Sequence, residues 1–186
     1  MIGLVVGIAA DGVDAIPAVF DQFPRDFDAA VIVVLDPAIP DATRVLALVR
    51  RSARMRVVHA IRSLPLETGS IFALPTPGST RVQRLQLRIG PAVGNWMDEL
   101  FASVGSEFNW RAVGVVLGQR FAANDSLHML EQAGGRVLSA VNRLPSSTCP
   151  HRELGRRAVA LVERLRNRER AGSHRTRPGI DDAQGA

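Results

Sequence analysis

Three short polar segments follow apolar runs, and they are the places where this sequence would carry out chemistry. Gly7–Gly12 ("GIAADG") follows the first run, Asp36–Pro40 follows the second, and Gly118–Asp125 follows a third run much later in the chain. If these runs are parallel strands of one sheet, their carboxyl ends meet at one edge, which is where α/β sheets bind ligands. The sequence therefore predicts one candidate site built from these three segments.

Metal and phosphate chemistry can both be considered for these segments. Asp11, Asp36 and Asp125 offer carboxylates to a hard cation such as Mg²⁺. However, Arg120 can pair with Asp36, and an acid near the start of a helix, such as Asp11, is favoured by the helix dipole without any ligand. The first segment lacks the Gly-x-Gly-x-x-Gly spacing and the whole sequence lacks Lys, so a phosphate loop is not indicated. We predict no metal and no cofactor.

The His and Cys residues give a second, weaker set of candidates. His59 and His128 have no partner at a metal-ligand spacing, so we expect both to be structural or exposed. Cys149 and His151 are two positions apart, a spacing at which two side chains seldom converge on one point. A relocated hydrolase site that uses Asp36, His128 or Cys149 is an alternative that the sequence leaves open.

The elements that must position these segments follow from hydropathy. Short continuous apolar runs predict buried parallel strands, and helix-period segments between them predict helices. The predicted strands are Ile2–Ile8, Ala29–Leu35, Arg56–Ile61, Ala112–Leu117 and Arg136–Val141, and the predicted helices are Asp14–Phe20, Asp41–Arg51, Asp98–Val104, Asp125–Ala133 and Arg152–Arg168. Their alternation predicts a three-layer, doubly wound α/β fold with a mostly parallel sheet. Leu64–Ile89, punctuated by Pro and Gly, predicts a small inserted antiparallel hairpin.

Length and charge limit the organisation of the chain. At 186 residues, we expect one domain over 1–168 and a disordered tail over 169–186. No apolar stretch is long enough to cross a membrane, and the single Cys149 agrees with a cytoplasmic protein. All 23 basic residues are Arg, and nine of them lie between Arg152 and Arg177 against three Glu. An Arg-rich adaptor that binds nucleic acid is an alternative, but we expect a solvated helix.

The whole arrangement resembles the catalytic domain of the bacterial chemotaxis protein-glutamate methylesterase (CheB) family. The matching segments run in the family's order from Ile2 to about Leu165. They are Asp14–Ile16, Phe23–Pro24, Val31–Leu35, Gly90–Val93, Asp98–Phe101, Ala112–Leu117, Ala133–Gly135 and Cys149–Pro150. The resemblance implies the family's fold and, in an intact member, hydrolysis of glutamyl methyl esters by a Ser-His-Asp triad.

The resemblance places the triad on residues that cannot perform this reaction. The nucleophilic Ser falls on Ala9 with its Thr neighbour on Ala10, the His falls on Asp36, and the Asp falls on Ala123 or Ala122. Ester hydrolysis by a triad needs an oxygen nucleophile, a base and a group that orients the base. Alanine has no nucleophilic atom, and a carboxylate is a weak base toward an alcohol. The other residues expected to line this degenerate site are Asp11, Gly12, Arg120, Asn124, Asp125 and Cys149.

The resemblance therefore implies a catalytically impaired member that acts by protein binding. The expected partner is a chemoreceptor, a methyltransferase or a receiver protein, in chemotaxis or in a related pathway such as type IV pilus (twitching) regulation; we do not expect nucleic-acid binding or membrane insertion. Met1 opens directly on the first strand, so no receiver domain is expected before it. Trp96, in a loop three residues shorter than the family's, is the candidate for the partner surface, and Trp110 is expected at the edge of the core.

Overall fold

The computed structural model describes residues 3–10, 13–35, 42–74, 79–91, 96–117, 125–139 and 150–174. Strands and helices alternate along most of this described chain. In order they are β1 (Val5–Ala10), α1 (Ala15–Phe20), β2 (Ala30–Leu35), α2 (Ala42–Ser52), β3 (Arg56–His59), β4 (Leu64–Pro65), β5 (Ser70–Ala73), β6 (Thr80–Gln83), β7 (Gln86–Ile89), α3 (Trp96–Phe108), β8 (Ala112–Leu117), α4 (Asp125–Gln132), β9 (Arg136–Ser139) and α5 (Pro150–His174).

Six strands form the central sheet, in the order β3-β5-β2-β1-β8-β9, and each of its pairings is parallel. A separate antiparallel sheet has the order β4-β7-β6. The predicted α/β class with a mostly parallel sheet and a small antiparallel element is confirmed. The antiparallel element is larger than the predicted hairpin, because β4 adds a third strand beside β7.

Both faces of the central sheet are covered, which explains why its strands are continuous apolar runs. Along β1, Val6 and Ile8 point into the core shared with α1, α2 and α5, whereas Val5 and Ala9 point into the core shared with α3, α4 and the small sheet. Successive side chains of a strand alternate between faces, so the same strand builds both cores. The result is the predicted three-layer arrangement.

Two strands differ from the prediction. The first begins at Val5 and continues through Ala9 and Ala10, which we had expected in the turn, because both residues pair with β2 and β8. Ser70–Ala73, expected within the inserted hairpin, forms a fully buried parallel strand between β2 and β3. Its apolar run is only Ile71–Leu74, so the Gly and Pro on either side dominated the sequence signal.

Two helices are longer than predicted. The third spans Trp96–Phe108, beyond the expected Asp98–Val104. The fifth runs from Pro150 to His174, so the predicted domain boundary at residue 168 falls inside it. Residues 169–174 belong to this helix. Arg and Ala favour helix, and Glu169 pairs with Arg111. The rest of the predicted tail, 175–186, lies outside the described residues.

The end of α4 shows how glycine positions an element near the site. Gly134 has a φ of +92°, its N–H donates to the carbonyl of Glu131, and the N–H of Gly135 donates to that of Leu130. This is the Schellman pattern that ends a helix. It needs one residue in the left-handed conformation, which Gly adopts without strain. The two glycines therefore end α4 before β9. In the described part of the chain, no helix combines the length and the apolar character that a membrane crossing requires.

Candidate functional site

The three strands that lead into the predicted site end together. Ala10 at the end of β1 pairs with Leu35 at the end of β2 and with Leu117 at the end of β8. The three loops therefore leave the sheet from adjacent positions on one edge, as the sequence predicted. Much of the predicted site lies outside the described residues, namely Asp11, Gly12, Asp36, Arg120, Ala122, Ala123, Asn124 and Cys149.

Ala9, the position that the resemblance gives to the nucleophile, lies in the described part of the site. It pairs with Val34 on one side and Val116 on the other, and it is 0% exposed. Its side chain belongs to the core on the α3 face of the sheet, whereas the side chain of Ala10 belongs to the opposite core. A buried methyl group therefore occupies this position.

The surroundings of Ala9 are set by close contact between α3 and the sheet. Gly7 and Gly114 lie side by side on β1 and β8. A Cβ at Gly7 would stand 2.9 Å from Cε1 of Phe101, and one at Gly114 would stand 2.8 Å from Cδ2 of Leu130. The two glycines thus let the fully buried Phe101 ring rest on the sheet. The space beside Ala9 on this face is filled by apolar side chains.

The first turn of α3 belongs to the same face and carries a polar atom that is not satisfied. Oδ1 of Asp98 is buried and has no hydrogen-bond partner among the described residues. A buried carboxylate oxygen is normally paired. Trp96 starts the same helix, but its side chain lies outside what the structure describes, so its assignment to a partner surface stays a prediction.

Asp125 and the histidines form no metal or catalytic cluster in the described part of the chain. Asp125 is exposed at the start of α4. His128 is exposed on the same helix, and its Nε2 lies 2.9 Å from Nε2 of Gln132. His59 is exposed at the end of β3, and His151 is half-buried in the first turn of α5. No group of three or more His, Cys, Asp or Glu side chains is arranged for a metal among the residues described.

One group of residues was missed by the sequence argument. At the opposite edge of the sheet, where the strands begin, a cavity of about 270 Å³ is lined by Arg111, Arg166 and Arg170 together with Asp28 and Glu169. Trp110 precedes Arg111 in the chain and is 37% exposed. It is therefore more exposed than we expect of a residue at the edge of the core. These residues come from segments far apart in the sequence, and only the Arg content of α5 pointed toward them.

The chain is similar to known proteins in both sequence and fold. The family model for CheB methylesterase matches residues 4–163. The crystal structure of the Thermotoga maritima CheB methylesterase catalytic domain is similar with a TM-score of 0.65 at 15% sequence identity, and the similarity covers 88% of this chain and 97% of that one. At this identity the likeness shows the fold. Among curated proteins, none matches the chain.

Proposed function

The chain belongs to the CheB methylesterase family, and we propose that it is a catalytically impaired member that works by binding a protein. One observation carries the proposal: Ala9, which takes the place of the nucleophilic Ser by resemblance, is a fully buried residue inside β1. Ester hydrolysis by this family's mechanism needs an accessible oxygen at that position. By the same resemblance, Asp36 takes the place of the base and Ala123 or Ala122 that of the orienting acid, which supports the same conclusion.

Binding is the function that such a domain retains. The central sheet and the helices that cover it are those of a methylesterase domain. We infer from the resemblance alone that the triad residues have been replaced. We propose a cytoplasmic protein partner in chemotaxis or in a related chemosensory pathway such as pilus control. The candidates are a chemoreceptor, a methyltransferase and a receiver protein.

An assay of methanol release tests the loss of catalysis. The purified chain is incubated with a peptide that carries a glutamyl methyl ester, with an intact CheB catalytic domain as the positive control. We expect no release above the rate without protein, because removal of triad members typically lowers the rate by about a million-fold. Release that disappears in Asp36→Ala would overturn the proposal and favour a relocated site.

Binding is tested separately from catalysis. A purified cytoplasmic signalling fragment of a chemoreceptor, a methyltransferase and a receiver protein are each titrated into the chain by calorimetry. Heat of binding with one of the three supports the proposal. Absence of binding to all three, with the chain folded by circular dichroism, would contradict the assignment to a chemosensory partner.

The relocated hydrolase receives no specific support from the described residues. Of its three candidates, only His128 is described, and it faces solvent beside Gln132. Asp36 and Cys149 lie outside the described residues. The methanol assay with Asp36→Ala, repeated with His128→Ala and Cys149→Ala, tests this alternative with the same readout.

A further inference from the structure

The last part of α5 extends beyond the core that the helix covers. Leu165 is the last buried side chain that the structure describes on this helix, yet the helix continues to His174. These nine further residues add about 13 Å of helix at 1.5 Å per residue. Beyond Leu165, none of the side chains that the structure describes on this helix is buried, so burial in the core does not explain them. This extension carries Arg166, Arg168 and Arg170.

The extension lines the cavity of about 270 Å³ at the amino edge of the sheet, together with Gly3 and Leu4, which precede β1. Two ion pairs lie among the lining residues. Nε of Arg166 lies 2.5 Å from Oδ2 of Asp28, and Nη1 of Arg111 lies 3.6 Å from Oε1 of Glu169. These pairs hold two guanidinium groups in place while each keeps further N–H donors, since a guanidinium has five.

An exposed aromatic residue, Trp110, precedes Arg111 of this cavity in the chain. Cζ of Arg168 lies 5.8 Å from the centre of the Trp110 ring, and Trp110 is among the few large apolar side chains that the described residues leave exposed. Arg168 and Arg170 have no acidic partner within the described part of the chain. Four arginines and two acids therefore meet here, a formal excess of two positive charges beside an exposed indole.

We propose that this amino-edge surface, formed by Arg111, Arg166, Arg168, Arg170 and Trp110, docks an acidic segment of a protein partner. Guanidinium groups bind carboxylates in a bidentate geometry, and Arg and Trp are the residues most often found at interface hot spots. The indole receives an apolar side chain next to the acidic ones. The inference rests on the proposed function in taking the partner to be a protein, and it locates the contact away from the degenerate site.

The charges favour a peptide over a nucleic acid. Asp28 and Glu169 stand at the same cavity and would repel a continuous phosphate backbone. A peptide can place single carboxylates against the free donors of Arg168 and Arg170 and avoid both acids. Three of the four arginines line one cavity and the fourth, Arg168, lies over Trp110. This compact arrangement suits the recognition of a short segment.

The test compares two charge-matched variants for binding to one probe. The probe is a fluorescein-labelled peptide, Leu-Glu-Glu-Asp-Leu-Glu, whose binding to the full chain is followed by anisotropy. Arg168→Gln with Arg170→Gln removes one charge over Trp110 and one at the cavity. Arg157→Gln with Arg164→Gln removes two from exposed positions of the same helix that belong to neither place. We expect the first pair to weaken binding about tenfold and the second less than about threefold, because directed pairs contribute more than net charge.

A third variant and a second probe complete the test. Trp110→Ala is expected to weaken peptide binding, whereas the same change should matter little if attraction by net charge alone were responsible. Equal losses in the two Gln pairs, or no loss in the first, would overturn the proposal. Tighter binding of a labelled single-stranded oligonucleotide, with the same dependence on Arg168 and Arg170, would also overturn it in favour of nucleic acid. Methanol release by the chain would refute impaired catalysis and leave this result unchanged.

Discussion

Ala9 lacks both the nucleophilic atom and the access that a nucleophile needs. Ala9→Ser supplies the oxygen at the position that the resemblance gives to the nucleophile, but this position is 0% exposed. By the same resemblance, Asp36 and Ala123 or Ala122 would still stand where the base and the orienting acid are needed. We expect no methanol release from the glutamyl methyl ester peptide. We also expect a loss of about 1 kcal/mol in the free energy of unfolding, because a hydroxyl is buried in an apolar space. Urea unfolding and the methanol assay measure the two effects.

A control separates burial from the change of residue type. Ala160→Ser alters an exposed position of α5 and should change the free energy of unfolding by less than about 0.5 kcal/mol. Ester turnover by Ala9→Ser would mean that position 9 is accessible in solution. That result would contradict the proposal that burial of this position prevents catalysis.

Gly7 is required by the ring that rests on it. Gly7→Ala places a Cβ 2.9 Å from Cε1 of Phe101, a ring that is fully buried. We expect a loss of about 1–3 kcal/mol in the free energy of unfolding, the usual cost of overpacking. Gly90→Ala is the matched control, because its nearest neighbour would be 3.8 Å away.

Phe101→Leu provides a double-mutant test of the same contact. If the clash is with the ring, the cost of Gly7→Ala should fall by about 1 kcal/mol in the Phe101→Leu background, as interacting pairs typically show. Strictly additive costs for the two changes would indicate that the glycine matters for the backbone of β1 and not for the ring. Chemical unfolding of the four variants gives the answer.

The attachment of the small sheet to the domain depends on polar side chains of α3. Glu99, Ser103 and Glu107 follow one another at four-residue spacing on this helix. Glu99 accepts from the hydroxyl of Ser79 at 2.5 Å, Ser103 Oγ accepts from the N–H of Val82 at 2.9 Å, and Glu107 accepts from that of Leu85 at 3.3 Å. Only Val82 belongs to the edge strand β6, and its N–H would otherwise be open to another chain. Ser79 and Leu85 lie on either side of this strand in the sequence.

Ser103→Ala tests this attachment at its centre. The N–H of Val82 loses its acceptor in a partly buried place, so we expect a loss of about 1 kcal/mol in the free energy of unfolding. Hydrogen exchange of the Val82 amide should become faster. Ser106→Ala, at an exposed position of the same helix, should leave both quantities nearly unchanged. Unchanged exchange of Val82 in Ser103→Ala would show that the small sheet is held in another way.

Gly155 sets how closely α5 approaches α1. In an exposed helix, Gly→Ala adds about 1 kcal/mol of stability through helix propensity. Here a Cβ would lie 2.7 Å from the carbonyl oxygen of Val19, a backbone atom that cannot move alone. We expect Gly155→Ala to lower the free energy of unfolding by about 1–3 kcal/mol, opposite in sign to the propensity effect. Thermal unfolding that shows a higher melting temperature would contradict the close contact of the two helices.

For the molecule as a whole, the sequence predicted the architecture better than it predicted which side chains meet at the surface. Long apolar runs such as Ala29–Leu35 and Ala112–Leu117 were sufficient to predict the sheet and the shared edge of its strand ends. The short β5 was missed because four residues carry too little periodicity against the turn residues around them. Ala9 was expected in a turn because alanine has no strong preference that distinguishes a strand end from a loop. The arginines around Trp110 were missed because their proximity depends on how α5 crosses the sheet.

Deletion of the end of α5 separates stability from the proposed docking surface. A chain that stops after Arg166 keeps Leu165 and every other buried side chain described on the helix, and loses the pair of Arg111 with Glu169 and the contact of Arg168 with Trp110. Contacts that are at least partly open to solvent contribute about 0–1 kcal/mol each, so we expect the free energy of unfolding to fall by only about 1 kcal/mol. A chain that stops after Ala160 also loses Val162 and Leu165, and should lose about 4 kcal/mol or more. Urea unfolding compares the two. A large loss in the longer chain would show that the extension is part of the core, whereas retained stability with lost peptide binding assigns the extension to recognition.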